Sequence, residues 1–332
     1  MLSYPQPWID AWVDSAYGAD GFWRTNCPHE HFRTASAAGD QLAVGVAGLI
    51  PADTAAVVDI GAGGGELLAA LAAERPELQF AGVDLRPRPV ELPVEIGWAV
   101  DLWDARYDTW TSGAAQRLLT AYAGPILVIA TEWLDDLPCP IVQAGTDGWH
   151  EVVLDEFGAE HPGVQLGGEL RAWADRWWPH GTRAEVGLPR DRAWLKLLTA
   201  VEPGGGSALL IDYGHDRDHR PEHGTLTGYR DGRQVPPVPD GKMNLTAHVA
   251  VDAVRAAGEA AGARTLTYGR QVDVLASLLD TAPHPDPLTD LVHRSQRSAL
   301  SSDSAWGSYW WLLQSFGGPS GARPEVQTSA VS

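Results

Sequence analysis

The chain has 332 residues, 44% of them hydrophobic, and can bury one large core with insertions. Its net charge of −19 argues against nucleic acid as the main partner, because polyanions are bound by clustered Lys and Arg. The acidity fits either a cationic substrate or simple solubility. Two cysteines far apart, with no apolar run of signal or membrane-spanning length, predict a cytoplasmic protein without disulfides or membrane contact.

The pattern along the chain predicts strands that alternate with helices after a helical start. Trp8, Trp12 and Val13 have helical spacing near the amino terminus. The seven predicted strands are residues 55–60, 78–83, 94–98, 125–130, 207–213, 264–268 and 308–314, the last at the sheet edge. Short apolar runs of this kind are typical of a parallel, doubly wound sheet. The predicted fold class is therefore α/β, Rossmann-like and seven-stranded.

Changes in this pattern divide the chain into five predicted segments. They are a helical cap (1–50), the first part of the core (51–138), an insertion (139–203), the second part of the core (204–316) and a tail (317–332). The tail is rich in Gly, Pro, Ser and Ala, which predicts disorder. Insertions often shape substrate pockets, and this one offers tryptophans as possible walls: Trp173, Trp177, Trp178 and Trp194.

A glycine turn follows the first strand and contains Gly61, Gly63 and Gly65 after Asp59. Glycines at such a turn let the backbone approach a ligand and leave helix N–H groups facing it. A dinucleotide site would carry a further glycine where this chain has Glu66. A carboxylate suits an ammonium group better than a pyrophosphate. The turn therefore favours S-adenosylmethionine (SAM) over a nicotinamide dinucleotide, with Asp59 and the three glycines as cofactor-binding residues.

Two further carboxylates follow the second and third strands. Asp84 lies about 20 residues past the glycines, where a ribose diol is held in nucleotide-binding folds. Asp101 is a candidate for binding the adenine amino group. A solvated aspartate at a strand end is the alternative for Asp84.

The fourth strand runs into an acidic loop, residues 132–136, with the carboxylates Glu132, Asp135 and Asp136. This position is the carboxyl end of a strand next to the topological switch point, where open α/β sheets place their chemistry. Clustered carboxylates can hold a cation or accept a proton from an attacking nucleophile. Either aspartate could instead cap the turn ahead of Pro138.

Cys27, His29 and His31 have spacing like that of metal ligands. No second ligand cluster in the sequence completes a tetrahedral site. We therefore expect no metal.

Several motifs in order resemble the MidA family of SAM-dependent methyltransferases, which includes the mitochondrial complex I assembly arginine methyltransferase. The segments begin at His31, Val58, Glu132, Gly148, Asp212, Gly224 and Asn244. The resemblance implies a class I methyltransferase sheet that binds SAM. It also implies that Glu132, with Asp135 or Asp136, grips a guanidinium.

The resemblance leaves the methyl acceptor open. Thr131 and Asn244 stand where the family usually has Asn and Asp. Candidate substrate contacts on this side are His31, Arg33, Asp212 and His215.

The sequence thus predicts methyl transfer from SAM to a nitrogen or oxygen nucleophile. The acceptor is an arginine of a partner protein, by resemblance, or a small metabolite. A non-catalytic assembly factor that keeps the fold is the alternative, and a homodimer is possible.

Overall fold

In the computed structural model, the described residues are 5–26, 40–279, 282, 284–302, 306–316 and 326–327. Cys27, His29 and His31 with their metal-like spacing, the predicted substrate contacts His31 and Arg33, and most of the predicted tail lie outside them.

The central sheet contains all seven predicted strands. In chain order they are β1 (Ala56–Ile60), β2 (Gln79–Asp84), β3 (Gly97–Val100), β4 (Ile126–Thr131), β5 (Ser207–His215), β6 (Arg264–Arg270) and β7 (Tyr309–Ser315). Their order across the sheet is β3-β2-β1-β4-β5-β7-β6, and β1 to β5 run parallel. Two short strands, Val249–Ala250 and Val326–Gln327, extend the sheet to nine. The predicted α/β fold class is confirmed.

The last strand, β7, does not lie at the sheet edge, so that prediction was wrong. It is inserted between β5 and β6 and runs antiparallel to both. Trp311 and Leu312 are fully buried although they point to opposite faces of the sheet. Apolar residues on both faces are typical of an interior strand that is covered on each side.

Helices cover both faces of this sheet, and alternate residues of each strand enter separate cores. Val57 of β1 packs in one core and Val58 in the other. The helices on the first face are Asp40–Leu49, Glu66–Glu74 and Gln271–Leu278, and those on the second are Ala114–Leu119, Leu188–Val201 and Val251–Ala260. The helix Pro287–Ser301, here called the rim helix, packs beside the first group. None of the described helices is long and apolar enough to cross a membrane.

The amino-terminal helices Trp8–Tyr17 and Phe22–Thr25 pack near a second sheet. Its strands are Gln6–Pro7, Ile141–Gly145, Gly148–Leu154, Glu160–Gln165 and Arg183–Glu185, with the helix Gly168–Trp177 beside them. Smaller sheets are formed by Trp103–Asp104 with Thr109–Trp110, and by Thr227–Arg230, Arg233–Val235 and Asn244–Thr246. Most of the second sheet therefore comes from the predicted insertion.

A buried arginine joins the insertion to the core. Arg190, on the helix Leu188–Val201, is only 1% exposed. Its guanidinium donates hydrogen bonds to the backbone carbonyls of Asp135 (2.8 Å), Leu137 (3.0 Å), Ala247 (2.9 Å) and His248 (3.1 Å). A planar group with five N–H donors can satisfy several carbonyls at once, which a lysine ammonium cannot match in geometry. Arg190 therefore holds the acidic loop against residues 247–248.

We predict that Arg190→Lys lowers the free energy of unfolding by about 3 kcal/mol, because buried carbonyls lose their donors. The matched control is Arg192→Lys on the same helix, where the side chain is 38% exposed and pairs with Asp108 and Glu169. This control should change stability by less than about 0.5 kcal/mol. Chemical denaturation measures the free energy of unfolding of both variants. Equal effects would contradict a special role of Arg190 in holding the acidic loop.

Candidate functional site

A cavity of about 1170 Å³ opens at the carboxyl ends of β1, β2 and β4. The glycine turn, the end of β2 and the acidic loop meet there because parallel strands point their carboxyl ends to one edge. Among the described lining residues, the carboxylate side chains are Asp59, Glu66, Asp84, Asp101, Glu132, Asp135 and Asp136, and the cationic one is Arg86. Arg86 is itself paired with Asp84 at 3.2 Å. The cavity is therefore strongly anionic and suited to cations.

The glycine turn forms one wall of this cavity. Gly61, Gly63 and Gly65 all have positive φ (71°, 60° and 79°), a region that favours glycine. A Cβ on Gly65 would lie 2.6 Å from Leu92, and a Cβ on Gly61 would lie 2.9 Å from Trp133. A Cβ on Gly63 would meet only the Arg86 guanidinium, at 4.0 Å. Two of the glycines thus allow close packing, whereas Gly63 leaves open space for a ligand.

Asp84 closes β2 directly beside the turn. Its carboxylate accepts hydrogen bonds from the backbone N–H of Gly63 at 2.9 Å and of Arg86 at 2.8 Å. These bonds hold the glycine turn and the end of β2 in one arrangement. The side chain is about 10% exposed and lines the cavity, so its remaining lone pairs stay available.

Asp59 is buried at the end of β1 and also lines the cavity. Burial, and then the neighbouring carboxylates of Asp84 and Glu66, raise the pKa of Asp59 to about 8. The neutral acid is therefore favoured near neutral pH until a cation enters the cavity.

Asp101 is held by several hydrogen bonds within the protein, which the sequence does not predict. It accepts hydrogen bonds from the backbone N–H groups of Leu102, Ser112 and Ala115 and from the Thr111 hydroxyl. Burial opposes ionisation, but these hydrogen bonds lower the pKa of Asp101 overall. The carboxylate thus caps the helix Ala114–Leu119, and adenine binding by Asp101 stays a prediction.

Aromatic side chains wall the cavity beside Asp101. Trp110 stacks on Trp133 with ring centroids 6.0 Å apart, and Trp103 meets Trp110 edge-on at 5.3 Å. The indole N–H groups of Trp103 and Trp110 are buried and have no hydrogen-bond partner among the described residues. Buried donors are normally satisfied. A flat ligand with nitrogen acceptors fits this wall.

The acidic loop begins with a backbone conformation that is rare outside glycine. Glu132 has a φ of 49°. Its backbone N–H donates to the carbonyl of Ile211, and its carboxylate accepts from the Tyr309 hydroxyl at 2.8 Å. Left-handed backbone at a non-glycine residue costs free energy and often marks a functional site. Here it turns the chain sharply at the end of β4.

Asp135 and Asp136 have different surroundings within the loop. The Asp135 Oδ2 atom accepts hydrogen bonds from the hydroxyls of Tyr213 and Thr246. Its Oδ1 atom is buried and has no partner among the described residues. Asp136 accepts from the Asn244 amide at 2.9 Å, and burial followed by repulsion from Asp135 raises its pKa well above the usual range. Asp135 is thus anchored on one oxygen only.

Asp212 and His215 do not line the cavity, in contrast to their predicted contact with substrate. Asp212 is fully buried and accepts from the backbone N–H of Leu134 at 3.0 Å, so it holds the backbone of the acidic loop in place. His215 is 5% exposed, packs on Trp178 and accepts from Arg220 at 2.7 Å. Burial and the adjacent guanidinium lower the pKa of His215 well below its usual value.

The insertion contributes no described residue to the cavity wall. Trp173 and Trp178 lie in a separate core, and Trp194 lies in the main core. The aromatic wall comes instead from residues that the sequence analysis missed: Tyr17, Trp23, Trp103, Trp110, Trp133, Tyr213, Tyr229, Trp306 and Tyr309. The insertion contacts the acidic loop through Arg190, which donates to the backbone carbonyl of Asp135. The one signal that could have found Trp133 is its place inside the acidic loop.

A family model described as "Putative S-adenosyl-L-methionine-dependent methyltransferase" matches residues 90–269, more than half of the chain. The chain therefore belongs to this family of SAM-dependent methyltransferases. No curated protein matches its sequence.

Two solved structures share the fold. A Burkholderia thailandensis protein bound to S-adenosyl-homocysteine is 22% identical, with 93% of this chain and 87% of that chain covered and a TM-score of 0.73. The native structure of an uncharacterized superfamily protein from the same organism has the same identity and coverage and a TM-score of 0.70.

The residues present fit SAM as the cofactor. Open space at Gly63, the carboxylate of Asp84 and the unpartnered indole donors of Trp103 and Trp110 suit a nucleoside. The anionic wall suits its sulfonium and ammonium charges. When bound, SAM supplies an activated methyl group.

We predict that Gly63→Val abolishes SAM binding, because the side chain would extend into the cavity. Gly168→Val is the control, since Gly168 has a similar φ of 57° and open space around its Cβ position, with nothing within 4 Å, but lies in the insertion. Both variants carry similar backbone strain. Calorimetric titration should show at least a hundredfold weaker binding for the first and wild-type affinity for the second.

We predict that SAM affinity rises as the pH increases toward and through 8. A cation in the cavity favours the charged form of Asp59, whose pKa is about 8, so binding releases a proton. Asp59→Asn should remove this part of the pH dependence. Comparison of Asp59→Asn with the wild type distinguishes titration of Asp59 from titration of SAM itself. Identical pH profiles of SAM affinity would show that Asp59 does not cause the pH dependence.

Proposed function

We propose that this chain is a MidA-type protein-arginine methyltransferase, which transfers the methyl group of SAM to a guanidinium nitrogen of a partner protein. The anionic cavity supports a cationic acceptor, because each carboxylate in a shielded site favours a positive group. The sequence resemblance to the MidA family supports arginine in particular. The cavity volume of about 1170 Å³ exceeds that of a typical single-ligand pocket, and this leaves room for a second reactant.

The observation that carries the proposal is the half-satisfied carboxylate of Asp135. Tyr213 and Thr246 donate to one oxygen, and the other is buried, unpartnered in the described structure and part of a residue that lines the cavity. A buried carboxylate oxygen without a donor is costly. A guanidinium N–H would satisfy it with a charge-assisted hydrogen bond.

This geometry suits the chemistry of guanidinium methylation. A protonated guanidinium is a poor nucleophile, so a nitrogen must lose its proton as it attacks the methyl group. Asp135 can orient the planar group and accept that proton at Oδ1. The new N–C bond replaces the C–S bond of the sulfonium, and the methylated guanidinium keeps its positive charge. Tyr213 and Thr246 keep the carboxylate in place during the transfer.

The other two carboxylates of the loop support Asp135 in different ways. Glu132 accepts from Tyr309 and contributes a second negative group at the cavity wall. Asp136 is bound to Asn244, and its raised pKa favours the neutral acid. Asn244 is one of the departures from the family pattern, and an amide can donate to Asp136 where an aspartate would repel it.

We predict that the enzyme labels a host protein in an extract depleted of small molecules and supplied with methyl-tritiated SAM. Hydrolysis of the labelled protein should release methylarginine. Asp135→Asn should reduce labelling at least a hundredfold, because the carboxylate that accepts the proton is lost, while SAM affinity stays within about threefold. The exposed Asp175→Asn is the control variant.

The labelled species decides between the alternatives. Methylarginine in protein supports the proposal. Label in a small molecule from undepleted extract, with none in protein, would replace it by metabolite methylation. Undiminished turnover of Asp135→Asn would remove Asp135 from the mechanism.

A further inference from the structure

The rim helix, Pro287–Ser301, carries an apolar face that no described residue covers. Leu288, Leu291 and Val292 are 70%, 59% and 45% exposed and recur at helical spacing. These three residues are called the apolar stripe. Isolated exposed apolar residues are ordinary, but a contiguous set on one helix face marks an interaction surface.

The orientation of the rim helix is well determined by its other contacts. Asp286 caps its amino terminus by accepting from the backbone N–H of Thr289 at 2.8 Å, and Pro287 occupies the first turn. Near the other end Leu300 is fully buried, and its carbonyl accepts from Gln271 at 3.0 Å. The core face of the helix is therefore already packed, and the apolar stripe is a separate face.

The apolar stripe leads directly into the cavity. Ser295 and Ala299, which line the cavity, lie three to eleven residues beyond the stripe on the same side of the helix. Gln296 lines the cavity as well, and its Oε1 atom is buried with no hydrogen-bond partner among the described residues. The rim helix thus carries the exposed apolar stripe, the unpartnered acceptor of Gln296 and part of the wall of the anionic cavity.

We propose that the apolar stripe is the docking surface for the polypeptide segment that carries the methylated residue. This inference rests on the proposed function. A segment with apolar side chains near its arginine matches both features, because the apolar groups pack on the stripe while the cation enters the carboxylate-lined cavity. Gln296 is placed to accept a backbone N–H of the bound segment.

Helix geometry sets the spacing of the motif that this surface recognises. Leu288 and Ser295 are seven residues apart, or roughly 10 Å at about 1.5 Å per residue. An extended peptide covers about 3.3 Å per residue. The apolar anchors should therefore lie about three residues from the arginine that enters the cavity beside Ser295.

The test compares two synthetic peptides with one central arginine. One carries leucines about three and four residues from the arginine, and the other carries serines there. The wild-type enzyme should methylate the leucine peptide with at least tenfold higher kcat/KM, and Leu291→Gln with Val292→Gln should bring the two peptides to within about twofold. The control double variant is Phe157→Gln with Val164→Gln, two exposed apolar residues of the insertion.

The outcomes separate this inference from the function on which it rests. Methylation of both peptides without preference, or a preference that survives in the stripe variant, would overturn the docking surface and leave arginine methylation intact. A failure to methylate arginine in peptides and in extract proteins would remove both. Sedimentation provides a further check, since loss of a dimer in the stripe variant with an unchanged peptide preference would assign the stripe to self-association instead.

Discussion

The arrangement of the site depends on one buried guanidinium. Arg190 binds the carbonyls of Asp135 and Leu137, and Asp212 receives the N–H groups of Leu134 and Asp135 from another direction. The backbone of the acidic loop is thereby held on both its donor and its acceptor side. Its side chains are left to face the cavity. The positive charge of Arg190 also offsets the electrostatic repulsion among the carboxylates of the acidic loop.

Electrostatics unites the cofactor and acceptor parts of the cavity. SAM carries a sulfonium, and the guanidinium acceptor that we propose would add a second positive charge. Two cations repel each other, so a wall of carboxylates lowers the cost of bringing them into contact. The same wall explains why burial and mutual repulsion raise the pKa values of Asp59 and Asp136. The cavity is thus negatively charged, like the chain as a whole.

Predictions from the sequence succeeded where a local pattern carries the information. The strands and the glycine turn follow from apolar runs and from glycines that adopt positive φ. Predictions failed where the outcome depends on distant segments. The position of β7 between β5 and β6 is set by which strands it pairs with, and its apolar sequence alone fits several places in a sheet. The hydrogen bonds that Asp101 accepts from residues 111–115 likewise depend on the tertiary structure, whereas its binding of adenine stays a prediction.

The sequence by itself determined the class of fold and the location of the glycine turn, because both depend on short-range backbone geometry and on hydrophobic periodicity. It also located the acidic loop, since the carboxyl ends of parallel strands share one edge. Only the tertiary structure decided that Asp135, within the acidic loop, keeps a buried oxygen without a partner among the described residues. The hydroxyls of Tyr213 and Thr246 come from segments about 80 and 110 residues away from Asp135, and no local pattern encodes their meeting.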